Sequence, residues 1–275
     1  MTSETTGTTR DVARLADGAE VRRRCARSTA RRLLGGAGVI DVVAYRWASQ
    51  PALAPLAHGL TAAGDWLVAV PEARLPVGAS GLPERMEVRV SIEQLGAPSD
   101  LRVQIASLHA LGTLRLLSAE ESSRLLDTGT ESEPLHAAAQ APGAVLGLLS
   151  TETVLVHARD DVEKLPWSAV VDGGAFPAPG REWDALDVAA ALDDAAVRRL
   201  LEELVDGSRR GIIGRPVAAP QEQLAAPVLL DVDAEGCTWL VRSGDQVRSV
   251  VLAFDRPVQG MAELQEALRA WRATA

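Results

Sequence analysis

The clearest pattern in the chain is a strict alternation, with Met86, Val88, Val90 and Ile92 set against Glu87, Arg89, Ser91 and Glu93. A period of two predicts a strand with one apolar and one wet face. Gly96-Ala97-Pro98-Ser99 supplies a turn, after which Leu101, Val103 and Ile105 alternate with Arg102 and Gln104. The two arms predict a long antiparallel hairpin whose second strand runs on through Leu108 to Leu116. Further strands are expected over residues 39–47, which hold Val39, Ile40, Val42, Val43 and Tyr45, over 65–70 before Pro71, and over 153–158.

Helical spacing takes over elsewhere. Val21, Cys25, Thr29 and Leu33 recur every four positions, arginines fill the other face, and Gly35-Gly36 stops the run. Residues 51–63 and 134–150 read as helical, the second broken near Pro142-Gly143. Ser118-Ala119-Glu120-Glu121 has the cap-then-acid signature of a helix start. Residues 187–206 carry the stripe Val188, Leu192, Val197, Leu200, Leu201 and Leu204, with Asp187 as the expected cap and Gly207 as the stop. Three short strands are expected at 228–232, 238–242 and 247–254, joined by Asp233-Ala234-Glu235-Gly236 and Ser243-Gly244-Asp245-Gln246. A last helix places Met261, Leu264, Leu268 and Trp271 on one face.

This order predicts an α+β protein. Residues 1–20 read as a disordered tail and 21–171 as an antiparallel body of the barrel or open-sheet kind. The Gly/Pro-rich stretch 172–186 reads as a linker, and 187–275 as a helix–three-strand–helix unit.

Composition narrows the function classes. Apolar residues make up 47% of the 275, enough for a packed core, while aromatics are only 3%. The net charge of −9 disfavours nucleic-acid binding. The local exception is Arg22, Arg23, Arg24, Arg27, Arg31 and Arg32. Cys25 and Cys237 stand in no CxxC or Cys/His cluster, so neither zinc nor a disulfide framework is expected. No apolar run reaches the roughly 18 residues that span a bilayer, and no apolar segment follows a basic start, so the cytoplasm is the expected compartment.

Candidate chemistry is sparse. Of His58, His109, His136 and His157, His109 ends one expected strand segment and His157 lies within another, which suits an axial haem ligand or a general base. Arg24, Arg27 and Arg31 can pair with haem propionates, a phosphate or an anionic partner, since guanidinium forks match such groups. A solvated helix face and hydrogen-bonded surface histidines are the plainer readings of the same residues. Gly35-Gly36-Ala37-Gly38 follows a helix and is no phosphate loop, and Gly147-Leu148-Leu149-Ser150 is no nucleophile elbow. Asp160-Asp161 and Asp193-Asp194 read as turn and helix-start residues.

The C-terminal stretch from Leu229-Leu230-Asp231-Val232-Asp233-Ala234-Glu235-Gly236 to Arg248-Ser249-Val250-Val251-Leu252-Ala253-Phe254-Asp255-Arg256-Pro257, with its final amphipathic helix, resembles the C-terminal domain of HugZ-type haem-utilisation proteins. There the domain follows an FMN-binding split barrel of the pyridoxamine-phosphate-oxidase type, and the hairpin around Gly96-Ala97-Pro98 is similar to part of such a barrel. The family's His-x-Asn-x-x-His stretch falls on Glu203, Val205 and Ser208, which cannot ligate iron as an imidazole pair does. The resemblance implies a homodimer and a tetrapyrrole ligand, with haem ahead of FMN. It leaves three function classes open: a ligand-binding protein with little or no catalysis, a flavin- or haem-dependent oxidoreductase, and an interaction module without cofactor. The first is the leading expectation, with His109, His157, Arg24, Arg27 and Arg31 as the cofactor-binding residues.

Overall fold

A computed structural model describes residues 5–77, 81, 83–97, 101–127, 129, 132–158, 161–217, 224 and 226–273, with side chains from Ala19 onward. Pro98 and Ser99 of the expected turn, and Asp160, lie outside the described residues.

The architecture is α+β, with two antiparallel sheets joined by the first helix. The larger sheet contains β1 (Val39–Val43), β2 (Ala57–Leu60), β3 (Trp66–Pro71), β4 (Arg85–Leu95), β5 (Gln104–Leu116), β6 (Ala144–Ser150), β7 (Thr153–Ala158) and β8 (Asp161–Pro166). Its order is β1-β4-β5-β6-β3-β2, with β7 pairing β5 and β8. The thirteen-residue β5 is the hinge of this arrangement. One edge follows β4 along its length, while the other pairs β6 at residues 113–116 and β7 at residues 106–109. The expected hairpin is therefore present, and its even positions Met86, Val88, Val90, Ile92, Ala106, Leu108, Ala110 and Leu114 enter the main core.

Helix α1 (Thr5–Gly35) starts well before Val21, so much of the expected tail 1–20 is helical. Val21 and Cys25 pack on Ile212, Val251 and Ala253 of the second sheet, while Ala26, Ala30, Leu33 and Leu34 enter the main core. A helix lying between two sheets needs two apolar stripes, and the arginine-rich face is accordingly not wholly wet: Arg32 is 2% exposed. Gly36 ends the helix at φ +125°, where a Cβ would meet His58 O and Ser132 Oγ at 3.0 Å.

Helices α2 (Ala119–Asp127) and α3 (Glu133–Ala139) close one end of the large sheet. The start of α2 is a capping box: Glu121 N–H donates to Ser118 Oγ at 3.2 Å and Ser118 N–H to Glu121 Oε2 at 2.9 Å. The Ser118 backbone bond, then the bond from Arg115 and that of the Ser118 side chain, hold the Glu121 carboxyl down at about 2.

Residues 134–139 of the expected helical stretch 134–150 lie in α3, but strands stand within both that stretch and 51–63. Residues 51–63 hold Pro51 and Pro55, which remove helix hydrogen bonds, and 57–60 become β2. The apolar run 144–150 becomes β6, which fills the gap between β3 and β5. Such a run reads alike in both periods, and the sheet decided it. Gly147 is required there, because a Cβ would lie 2.4 Å from Leu114 Cδ1.

A short helix α4 (Trp167–Val170) follows β8, and residues 172–181 lead into α5 (Glu182–Ala189). The stretch 172–186 expected as a linker is anchored, with Phe176 and Ala185 buried in the second core. The expected helix 187–206 is divided. Asp193, not Asp187, caps α6 (Asp194–Asp206) by accepting from Ala196 N–H at 2.7 Å, and Gly207 closes it at φ +83°.

The second sheet has four strands, one more than expected: β9 (Gly211–Pro216), β10 (Val228–Asp233), β11 (Gly236–Ser243) and β12 (Gln246–Ala253), ordered β10-β11-β12-β9. In the β10–β11 turn, Asp233 Oδ1 accepts from Glu235 N–H at 2.8 Å and Gly236 N–H at 3.0 Å. Helices α5, α6 and α7 (Met261–Ala273) cover one face, where Trp239, Phe254, Leu264, Leu268 and Trp271 share a core. On the other face Leu230, Leu240 and Val247 receive Leu101, Val103 and Ile105 from the β4–β5 hairpin. Ala97 N–H donates to Leu230 O at 2.9 Å in the same contact.

Candidate functional site

The centre of interest is the outward face of β4, β5 and β7. Strand alternation sends Ala106, Leu108, Val154 and Val156 inward, and Ser107, His109, Leu155 and His157 outward. In the register Ser107 stands opposite both Glu93 and His157, and His109 opposite both Ser91 and Leu155. His109 and His157 are therefore diagonal neighbours on one face. Their ring centroids are 5.2 Å apart and their planes cross at 86°. Ser107 Oγ lies 3.3 Å from His109 Nε2. Burial, then the neighbouring His157 and, more weakly, Arg89, lower the His109 pKa, with Glu93 opposing.

His157 also stands at the wall of a groove of about 390 Å³ between the two sheets. Val103, Ile105 and Val162 from the first sheet and Val217 beyond β9 make its apolar walls. Gln104, Asp161, Arg215, Thr238 and Ser249 are its polar groups. A concave, mainly apolar surface with a few convergent polar groups is the ordinary form of a small-molecule site.

The arginines expected to serve the same ligand lie elsewhere. Helix α1 packs against Val154 and Val156, on the inner side of the sheet whose outer side carries the two histidines. Arg24, Arg27 and Arg31 are thus not brought together with His109 and His157. Arg24 Nε donates to Glu235 Oε2 at 2.7 Å, and Arg27 is exposed. Arg31 lies along Gly173, whose Cβ would sit 3.6 Å from the guanidinium carbon. The arginine that does line the groove is Arg215. Sequence reasoning missed it because residues 211–216 were not recognised as a strand, although Ile212-Ile213 gave an apolar β-branched signal there.

The positions at which the resemblance would place haem ligands have other work. Glu203 Oε2 accepts from Arg209 Nε at 2.8 Å, and Arg209 stacks over Trp271 at 5.4 Å. Ser208 Oγ donates to Glu203 O at 3.2 Å, closing the end of α6. The other two histidines are apart from the pair. His58 is buried, its Nε2 2.6 Å from Leu33 O, and burial pushes its pKa down to about 4. His136 lies on α3, in a separate cleft with Ser122, Ser123 and Asp127. Among the described residues no group of three or more His, Cys, Asp or Glu side chains forms a metal centre.

No protein-family model matches the chain, and no curated protein matches its sequence. Among solved structures, the fold is similar to that of a haem-binding protein from Mycobacterium smegmatis, with a TM-score of 0.51 and 14% identity over 90% of this chain and 96% of that one. A protein of unknown function from Agrobacterium tumefaciens aligns over 89% of this chain and 94% of its own, at 15% identity and a TM-score of 0.37. The chain therefore shares its overall α+β architecture with a haem-binding protein.

Proposed function

We propose that the protein binds a tetrapyrrole, haem first, in the groove between the two sheets, and that binding rather than turnover is its task. The observation that carries this reading is the groove itself, with an imidazole, His157, on apolar walls of Val103, Ile105, Val162 and Val217 and a guanidinium, Arg215, among its polar groups. That set suits a flat apolar macrocycle with anionic edges: the imidazole ligates iron and the guanidinium pairs with a propionate. Bound there, haem would supply an iron centre for ligand or electron chemistry, while the protein's own part is to hold and orient it. The fold shared with a haem-binding protein supports the same reading.

Haem titration into the purified protein tests it. A Soret band that saturates at one haem per chain, and weakens at least tenfold in affinity in His157→Ala, is the expected result. Saturable binding unchanged by His157→Ala and Arg215→Ala would move the ligand elsewhere, and no binding would end the proposal.

The same outward sheet face supports self-association. Val39, Leu95, Leu111, Leu155 and Val162 are exposed on β1, β4, β5, β7 and β8, an apolar surface of the kind that finds cover. A second copy of the chain is the partner proposed, with no role for nucleic acid or a membrane, in the cytoplasm. No helix among the described residues is long and apolar enough to cross a membrane. Cys25 and Cys237 are both buried.

A further inference from the structure

The imidazole pair has a geometry of its own, which the tetrapyrrole reading does not use. A haem in the groove meets His157 alone, since His109 is not among the groove's walls. Yet His109 and His157 stand with ring centroids 5.2 Å apart, on adjacent antiparallel strands whose pairing fixes their backbones. With metal–nitrogen bonds of about 2 Å along the lone pairs, two imidazoles sharing one tetrahedral ion have their centroids about 5 Å apart. The χ2 torsion of histidine is soft, so each ring can turn a nitrogen toward a common point without moving the strands.

We propose that His109 and His157 chelate one divalent transition-metal ion of the copper–nickel–zinc class on the outer face of the sheet. Imidazole suits these borderline ions, and Cu(II) heads their affinity order. Two protein ligands leave the ion's remaining positions to water or to an incoming ligand, because no third His, Cys, Asp or Glu completes a centre among the described residues. Ser107 is the orienting partner. Its Oγ is 3.3 Å from His109 Nε2, and with Nε2–H donating to that hydroxyl Nδ1 is left for the metal.

The proposal shares His157 with the haem reading and is tested without haem. The haem-free full chain, without an affinity tag, is titrated with Cu(II) by calorimetry and examined by electron paramagnetic resonance. One ion per chain in the micromolar range, with hyperfine splitting from two nitrogens, is expected. His109→Ala and His157→Ala should each weaken binding tenfold or more, Ser107→Ala severalfold, and His136→Ala not at all. Both histidines lie on a sheet surface, and circular dichroism of each variant verifies the fold. Haem titration separates the two proposals: His109→Ala should lose the ion and keep haem, whereas His157→Ala should lose both. Cu(II) binding unchanged in the His109→Ala, His157→Ala double variant, a one-nitrogen spectrum, or no binding at about 100 µM ion, in the range of weak millimolar-to-micromolar association, would overturn the proposal.

Discussion

Arg32 on the first helix donates from Nη1 to Asp231 Oδ2 in the second sheet at 2.7 Å, across 199 residues of sequence. The pair is almost wholly removed from solvent on the arginine side, at 2% exposure. Burial opposes the charge on Arg32, but Asp231, by charge and hydrogen bond, and then Asp233 and Glu182 more than offset it, and its pKa is raised. Arg24 repeats the contact about two turns earlier on the helix, with Glu235. The first helix therefore clasps the two sheets that wall the groove.

Removing one member of the buried pair should be costly. Asp231→Ala leaves the Arg32 charge without its partner and should lose about 3–5 kcal/mol of unfolding free energy, read by urea denaturation. Replacing both, as Arg32→Met with Asp231→Leu, should recover most of that loss. A single variant as stable as the parent would show that the clasp does not hold the sheets.

His58 makes stability depend on pH. Its folded pKa is about 4, below the ordinary 6.5, because burial disfavours the imidazolium. A depressed base binds its proton more readily when unfolded, so its stabilising effect is whole above about pH 6.5 and is lost as pH falls toward 4. The total is roughly 3 kcal/mol. Unfolding midpoints measured from pH 7 down to 4 should fall accordingly, and the slope over that window should flatten in His58→Gln. An unchanged slope would remove His58 as the cause.

Trp271 anchors the last helix. It is 3% exposed, and its ring lies 4.9 Å from Phe254 with Arg209 over it. Trp271→Ala should cost about 3–5 kcal/mol through lost burial and the cavity left behind. An unaltered melting temperature would mean that the helix is not docked in solution.

Self-association has a direct readout. Light scattering at micromolar concentration should give a mass near twice the 29.0 kDa of one chain. Placing a charge on the apolar outer face, as in Leu111→Arg, should return it to that of the single chain with the fold retained. A native monomer would reject the second copy as partner.

The sequence by itself determined the elements whose period is unambiguous. Met86 to Ile92 against Glu87 to Glu93 could only be a half-wet strand, and the stripe Leu264, Leu268 and Trp271 only a docked helix, because each pattern matches one backbone period. The turn residues Asp233, Gly236 and Gly207 were equally legible, since their roles are local: an Asx-type carboxylate, a site with no room for a Cβ, and a left-handed cap. His109 and His157 could be picked out one by one as imidazoles on strands.

Only the tertiary structure decided which of these residues meet. The run 144–150 carries no period that separates helix from strand, and the vacancy between β3 and β5 settled it. Arg32 looked like one more residue of a solvated stripe until the second sheet covered it. The candidate site changed in the same way. Pairing of β5 with β7 brought His157 beside His109, while a sheet one residue thick put Arg24, Arg27 and Arg31 on its other side and an unforeseen edge strand delivered Arg215 to the groove. Periodicity reports which face of its own element a residue takes. What that face is packed against depends on strand pairing between distant segments, which no local pattern encodes.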